Sequence, residues 1–284
     1  MRKLPKPLDD AGDVFLTCIS RIRNNVKNNY LKDRLDLVKL NIVSAAVEFE
    51  SAASTNILHT LMPQDDINGI VTKQEMIDVY TQRMVKKDSA GRQIYDKLLA
   101  TSAHNLCPLC GQRTVSTLDH HLPKALYPAL AVVPTNLIPA CWDCNNAKLE
   151  AKPSNSENET IHPYFDDVET DLWLYATVIE DSPPVLRFFV NPPANCDEIK
   201  AKRLKYHFQI FKLSRLYTSH AASELSNIQH SLTKLFSKVG DKGVKDYLRE
   251  EASSREKVYI NSWQTAMYKA LSNSDWYCLG GFKE

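Results

Sequence analysis

Apolar positions along this chain follow a helical period at both ends. Within residues 10–55, Leu35, Val38, Ile42, Ala46 and Phe49 recur at spacings of three and four, one stripe of an amphipathic helix. The polar, turn-forming stretch QDDING at 64–69 interrupts that pattern. Thr72 with Glu75 three residues on is a capping signature, and it opens a predicted helix carrying Met76, Val79, Tyr80 and Met84. Ser89 and Gly91 end it, and Ile94, Tyr95, Leu98 and Leu99 predict one more short helix.

Beyond the solvated loop KPSNSENET at 152–160, two β-rich runs follow, LWLYATVI at 172–179 and VLRFFV at 185–190. The EDSPP between them predicts a hairpin. From Asp197 to about Ala270 the helical period returns, with a break expected around Gly240 to Gly243. Within it, residues 199–215 carry Lys200, Lys202, Arg203, Lys205, Lys212 and Arg215 with no acid. A continuous helix here puts Lys202, Lys205 and Lys212 on one face, a candidate phosphate-contacting surface or a plain solvated face over the Leu204, Phe208 and Phe211 stripe. The pattern divides into an N-terminal helical region at 1–103, a central module at 104–165, and a C-terminal β-hairpin and helical region at 166–284. The expected fold class is α+β, mainly helical.

Composition narrows the function classes only a little. At 284 residues, 43% hydrophobic and 24% charged, the chain reads as a globular protein with a real core. A formal charge of +1 gives no global signature of nucleic-acid binding. No apolar run reaches the ~18 residues that span a bilayer, and the basic N-terminus lacks the apolar region of a secretory signal. Of seven cysteines, Cys18, Cys196 and Cys278 are scattered, which argues against a disulfide framework and for a reducing cytoplasmic location.

The other four cysteines organise the centre of the chain. Cys107/Cys110 and Cys141/Cys144 are two C-x-x-C pairs separated by 30 residues. Four soft thiolates so spaced match a closed, tetrahedral, structural zinc site. In comparable peptides such a site supplies roughly 10–16 kcal/mol to folding. Trp142, inside the second pair, is expected to cover the knuckle.

Between and just after the pairs lie residues of a different chemistry: Asp119, His120, Asn136 and Asn145. A carboxylate and an amide oxygen suit a hard divalent ion, and an imidazole suits a general base. Val115, Thr117 and Leu118 predict a strand over 114–118, ended by Leu122-Pro123, so that Asp119 and His120 sit at its end on opposite sides. Asn145 then falls on the first turn of the helix that begins near Cys141. Asn136, on the returning strand, braces the loop that carries His120. His121 is the alternative base if the register slips, and Asn146 the alternative ligand. Lys124 and Lys148 are candidate phosphate contacts or plain surface lysines. His162 in HPYFDD reads as a packing residue.

The order D-H…N…N, with Asn136 and Asn145 nine apart and C-x-x-C pairs around them, resembles the HNH nucleases of the ββα-metal fold. That resemblance implies Asp119 and Asn145 as ligands of a catalytic Mg2+ or Mn2+ and His120 as general base. It also implies Asn136 as the structural asparagine and Cys107, Cys110, Cys141 and Cys144 as zinc ligands. Asn145 stands where the family name has histidine; both occur. A looser resemblance takes in GRQIYDKLLA, LDHHLPKALYP, NLIPACWDCNNAK and HPYFDD with WLYA. These look like the HNH component of Septu-type anti-phage systems, some of them linked to retrons. It implies an ABC-type ATPase partner, a defence role, and in the retron-linked case a reverse transcriptase with its nucleic acid. The expected activity is hydrolysis of phosphodiester bonds, DNA ahead of RNA. The competing expectation is a catalytically silent zinc module that docks nucleic acid or protein.

Overall fold

Capping and turn chemistry set the element boundaries in the computed structural model, which describes residues 1–148 and 152–283. The elements form an α+β, mainly helical chain in two compact units, Arg2–Asp167 and Val168–Glu284. The boundary expected at 103/104 falls inside the first unit.

In the first unit, Asp10 caps α1 (Ala11–Ile19) by accepting the Asp13 backbone N–H at 3.0 Å. Helices α2 (Leu31–Leu37) and α3 (Lys39–Ser54) follow, so the long stripe predicted for 10–55 is three helices. A minimal hairpin, β1 (Asp66–Ile67) and β2 (Val71–Thr72), precedes α4 (Lys73–Asp78). The Thr72–Glu75 capping box forms as the sequence predicts. Beyond Asp78 the helix widens into a π-helical segment, Val79–Val85, before α5 (Arg92–Leu99). Next come the antiparallel strands β3 (Thr117–His120) and β4 (Leu137–Ala140), and then α6 (Trp142–Lys148). The expected continuation of α6 over Leu149 and Glu150 lies outside the described residues. Phe15, Ile42, Phe49 and Met84 share one apolar core with Leu118, Leu130, Val133 and Leu137. The N-terminal helices are therefore the wall on which the cysteine segment is built.

The second unit pairs β5 (Leu174–Ile179) with β6 (Val185–Val190) in the predicted hairpin. Leu186 and Phe188 are buried on one face of β6. Three helices follow, α7 (Glu198–Ile210), α8 (Leu213–Val258) and α9 (Trp263–Asn273). Gly240 interrupts α8 at φ +69°, where the glycines predict a break. Asn261 ties the start of the hairpin to the end of α8. Its Oδ1 accepts the Trp173 and Leu174 N–H groups at 2.9 and 3.1 Å, and its Nδ2 donates to the Asp171 carbonyl at 2.7 Å. No helix among the described residues is long and apolar enough to cross a membrane.

Candidate metal centre and adjoining cleft

The first cysteine pair sits on a tight turn. Cys107 N–H donates to the Arg113 carbonyl and Gly111 N–H to the Cys107 carbonyl, both at 2.7 Å. Gly111 adopts φ +65°, which favours glycine. The second pair spans the end of β4 and the start of α6. All four cysteines are buried, and their sulfur atoms lie within 4.8 Å of one another. Backbone N–H groups of Arg113 and Cys144 donate to Cys110 Sγ and Cys141 Sγ, each at 3.4 Å. The donor set fits zinc: four soft sulfurs, no open position, and N–H support behind them. Cys107, Cys110, Cys141 and Cys144 thus form a group that can hold a structural zinc ion.

Beside this knuckle is a cleft of about 280 Å³, bordered by Asp119, His120, Pro123, Lys124, Trp142, Asn145 and Asn146. Strand β3 begins later than predicted and includes Asp119 and His120, which pair with Ile138 and Leu137 of β4. Their side chains meet different neighbours, as adjacent strand residues should, yet both reach the cleft. Asn145, half-buried on α6, borders it from the helix side, and Asn146 is exposed beside it.

His120 is buried, with its Nε2 2.9 Å from the Ala131 carbonyl oxygen. A carbonyl can only accept, so Nε2 carries the proton and the lone pair lies on Nδ1. Burial pushes the imidazole pKa down to about 3, keeping it neutral. The Tyr80 ring meets the His120 ring edge-on, centroids 4.4 Å apart at 72°. Tyr80 Oη donates to the Leu118 carbonyl at 3.3 Å, which fixes that ring to β3. Sequence reasoning placed Tyr80 only on a core stripe. Tyr80 meets His120 from within the π-helical segment, which no local periodicity announces.

Asn136 is fully buried in the turn just before β4, one residue short of the strand expected to carry it. It braces the 121–136 loop, donating to the Leu122 and Leu130 carbonyls at 3.0 and 3.2 Å and accepting the Leu122 N–H at 2.7 Å. His121 turns away from the cleft and packs on His162, ring centroids 4.2 Å apart. His162 is buried among aromatic rings, as a packing residue would be.

Of the basic candidates, Lys124 is half-buried on the cleft wall. Lys148 points inward instead of toward solvent. Its Nζ donates to the His120 carbonyl at 2.6 Å and stands 3.5 Å from Asp119 Oδ2. Burial raises the Asp119 pKa and lowers that of Lys148, while their mutual attraction opposes both shifts. Lys202, Lys205 and Lys212 lie in the other unit. The helix expected through 199–215 ends at Ile210, and Lys212 takes a left-handed φ of +52° before α8. Lys212 therefore does not extend the face of Lys202 and Lys205, and Lys202 is paired with Glu198 at 2.9 Å. Trp142 does not cover the knuckle: 68% exposed, it stands at the cleft.

No family model matches this chain, and no solved structure matches it. Protein ea31 of Escherichia phage lambda is 28% identical to it over 294 residues, covering 97% of this chain and 98% of that protein. The similarity therefore extends over the cysteine segment and both flanks.

Proposed function

We propose that this protein is a metal-dependent endonuclease of the HNH type, hydrolysing phosphodiester bonds of nucleic acid at the cleft beside the cysteine group. One observation carries the reading. Asp119, His120 and Asn145 border a single cleft, and the hydrogen bond from Nε2 to Ala131 leaves the base-competent lone pair of His120 on Nδ1. A silent docking module has no use for a carboxylate, an imidazole and an amide gathered around one cleft.

The carboxylate of Asp119 and the amide oxygen of Asn145 are hard donors that suit Mg2+ or Mn2+. Bound there, the ion supplies charge stabilisation for the scissile phosphate and the departing oxygen. His120 takes a proton from the attacking water on Nδ1, while Nε2–H stays on the Ala131 carbonyl and Tyr80 holds the ring. Burial alone makes His120 a weak base. The negative charge of a phosphate entering the cleft favours the imidazolium and strengthens it. Asn136 fixes the loop that presents the Ala131 carbonyl. A zinc ion on these ligands would pin α6 to the turn that carries Cys107 and Cys110, setting the distance between the Asp119 strand and the Asn145 helix.

DNA is the favoured substrate, and RNA is open to the same chemistry, since water activation neither needs nor excludes a 2′-hydroxyl. The sequence resemblance further supports an ABC-type ATPase partner and an anti-phage role, tested by co-purification with the product of a neighbouring reading frame. The activity itself is tested with zinc-loaded protein on plasmid DNA and on total tRNA with Mg2+ or Mn2+, beside His120→Ala. Loss of about 100-fold or more in the variant is expected. Cleavage by His120→Ala at the wild-type rate removes His120 from the mechanism and with it the nuclease reading.

A further inference from the structure

Trp142 is placed where an aromatic side chain is costly to leave exposed. It is the first residue of α6, fixed between Cys141 and Cys144, and it is 68% exposed. A tryptophan with no structural task gains by burying its ring. This one instead borders, exposed, the cleft that also holds Asp119 and His120, which are only 3% and 6% exposed. Its backbone is held at the helix start, where Cys144 N–H and Asn145 N–H bond back to Cys141, at 3.4 and 3.1 Å. An exposed π-face therefore borders the same cavity as the acid and base. Lys124 borders that cavity as well, its Nζ 5.4 Å from the centre of the Tyr80 ring. A flat ring for a base and a cation for a backbone phosphate are the two parts of a single-strand binding site.

We propose that Trp142 is a stacking platform for a nucleobase flanking the scissile phosphate, so that the site takes an unpaired strand in preference to uninterrupted duplex. The proposal rests on the nuclease reading of this cleft and adds a substrate class to it. The geometry argues for unpaired substrate in either mode an indole can use. Stacking on an exposed ring needs a base whose face is free, and insertion of the ring between two bases needs an unstacked step. Intact duplex offers neither without disruption. The burial of Asp119 and His120 points the same way, since a phosphate must reach two side chains that are almost wholly covered. Stacking tolerates any base, so no sequence preference follows, and DNA and RNA strands share the chemistry.

The test is binding by fluorescence anisotropy. Labelled single-stranded DNA, single-stranded RNA and a duplex of the same sequence are titrated with zinc-loaded protein, with Ca2+ replacing Mg2+. Wild type, Trp142→Ala and Trp142→Phe are compared, zinc content and far-UV circular dichroism confirming that each is folded. Trp142→Ala should lose on the order of tenfold in affinity for the single strand. Trp142→Phe should keep most of it, and duplex affinity should be lower at the outset and unmoved by either change. Wild-type single-strand affinity in Trp142→Ala, or equal wild-type affinity for strand and duplex, overturns the proposal. Cleavage of the same strands with Mg2+ by wild type and His120→Ala separates the two readings. Trp142-dependent binding without cleavage sinks the nuclease and leaves the platform. His120-dependent cleavage that Trp142→Ala does not alter sinks the platform and leaves the nuclease.

Discussion

Asn136 and Leu122 exchange two hydrogen bonds, with Leu122 N–H donating to Asn136 Oδ1 at 2.7 Å and Asn136 Nδ2 returning to the Leu122 carbonyl at 3.0 Å. A side-chain amide here does what a facing strand would do, within the irregular connection between β3 and β4. Its third bond, to Leu130, lies one residue from the Ala131 carbonyl that sets the His120 tautomer.

Asn136→Asp keeps the acceptor for Leu122 N–H and removes both donors, and Asn136→Ala removes all three bonds in a fully buried site. Each unpaired buried group costs about 1–3 kcal/mol. The Leu130 carbonyl still accepts from Val133 N–H, so Asn136→Ala strands the Leu122 N–H and carbonyl and should lose about 2–6 kcal/mol in urea denaturation, with Asn136→Asp also destabilised by its buried charge. Nucleic-acid cleavage should fall with both. An Asp variant as stable as wild type would show that the loop is held by something else.

The cysteine group makes a second prediction that needs no substrate. Purified protein should carry one zinc ion per chain on these four sulfurs. Cys107→Ser with Cys141→Ser should abolish it, and chelation should unfold the Arg2–Asp167 unit cooperatively, because the knuckle packs beside its core. Metal analysis and circular dichroism read both. Full thermal stability after chelation would mean the thiols need no ion.

How much of this was legible in the sequence depends on the distance over which each feature acts. The paired cysteines, the Thr72–Glu75 cap, the 185–190 strand and the break at Gly240 are local patterns, and the structure holds them where the spacing places them. The side chains of Tyr80, Lys148 and Asn261 are different. Each is defined by a partner 38, 29 or 88 residues away, and nothing in its own neighbourhood announces that partner. Strand β3 starts three residues later than the pattern predicts, because Val115 and Thr117 carry the β pattern while Asp119 and His120, polar but buried, continue it. The shared core of the N-terminal helices and the cysteine segment was invisible for the same reason, since a helical stripe reveals that it is covered but not by what.

The cap that opens α4 also carries a pH-sensitive contact. Glu75 accepts from Arg34 Nη1 at 3.0 Å and from the Thr72 N–H at 2.9 Å. Its hydrogen bond with Arg34 holds its pKa below the ordinary 4.5. A depressed carboxylate contributes stability that is present above its unfolded pKa and is lost as pH falls through the folded one. Glu75→Gln, which retains a capping side chain, should therefore be less stable than wild type at pH 7, with the gap closing as pH falls below 4.5. Urea midpoints across that range measure it. A gap that stays constant into acid would show that the charge on Glu75 contributes nothing.

Lys148 supplies the last prediction, and it bears directly on Asp119. The ammonium is the cation nearest that carboxylate, 3.5 Å away, and both side chains are at least nine-tenths buried. Lys148→Met removes the cation and the donor to the His120 carbonyl, leaving the buried Asp119 carboxylate with only the weaker influence of Lys124 to offset its charge. Breaking a buried pair on one side costs about 3–5 kcal/mol. A divalent ion taken up by Asp119 would offset part of that loss, since a ligand that binds the folded state alone stabilises it by mass action. The melting temperature of Lys148→Met should therefore fall in metal-free buffer and rise on adding Mg2+ by more than that of wild type. Asp119→Asn should abolish the Mg2+ response in either background. An equal Mg2+ shift in wild type, Lys148→Met and the Asp119→Asn variants would mean that the ion binds elsewhere, and the carboxylate would lose its place as a metal ligand.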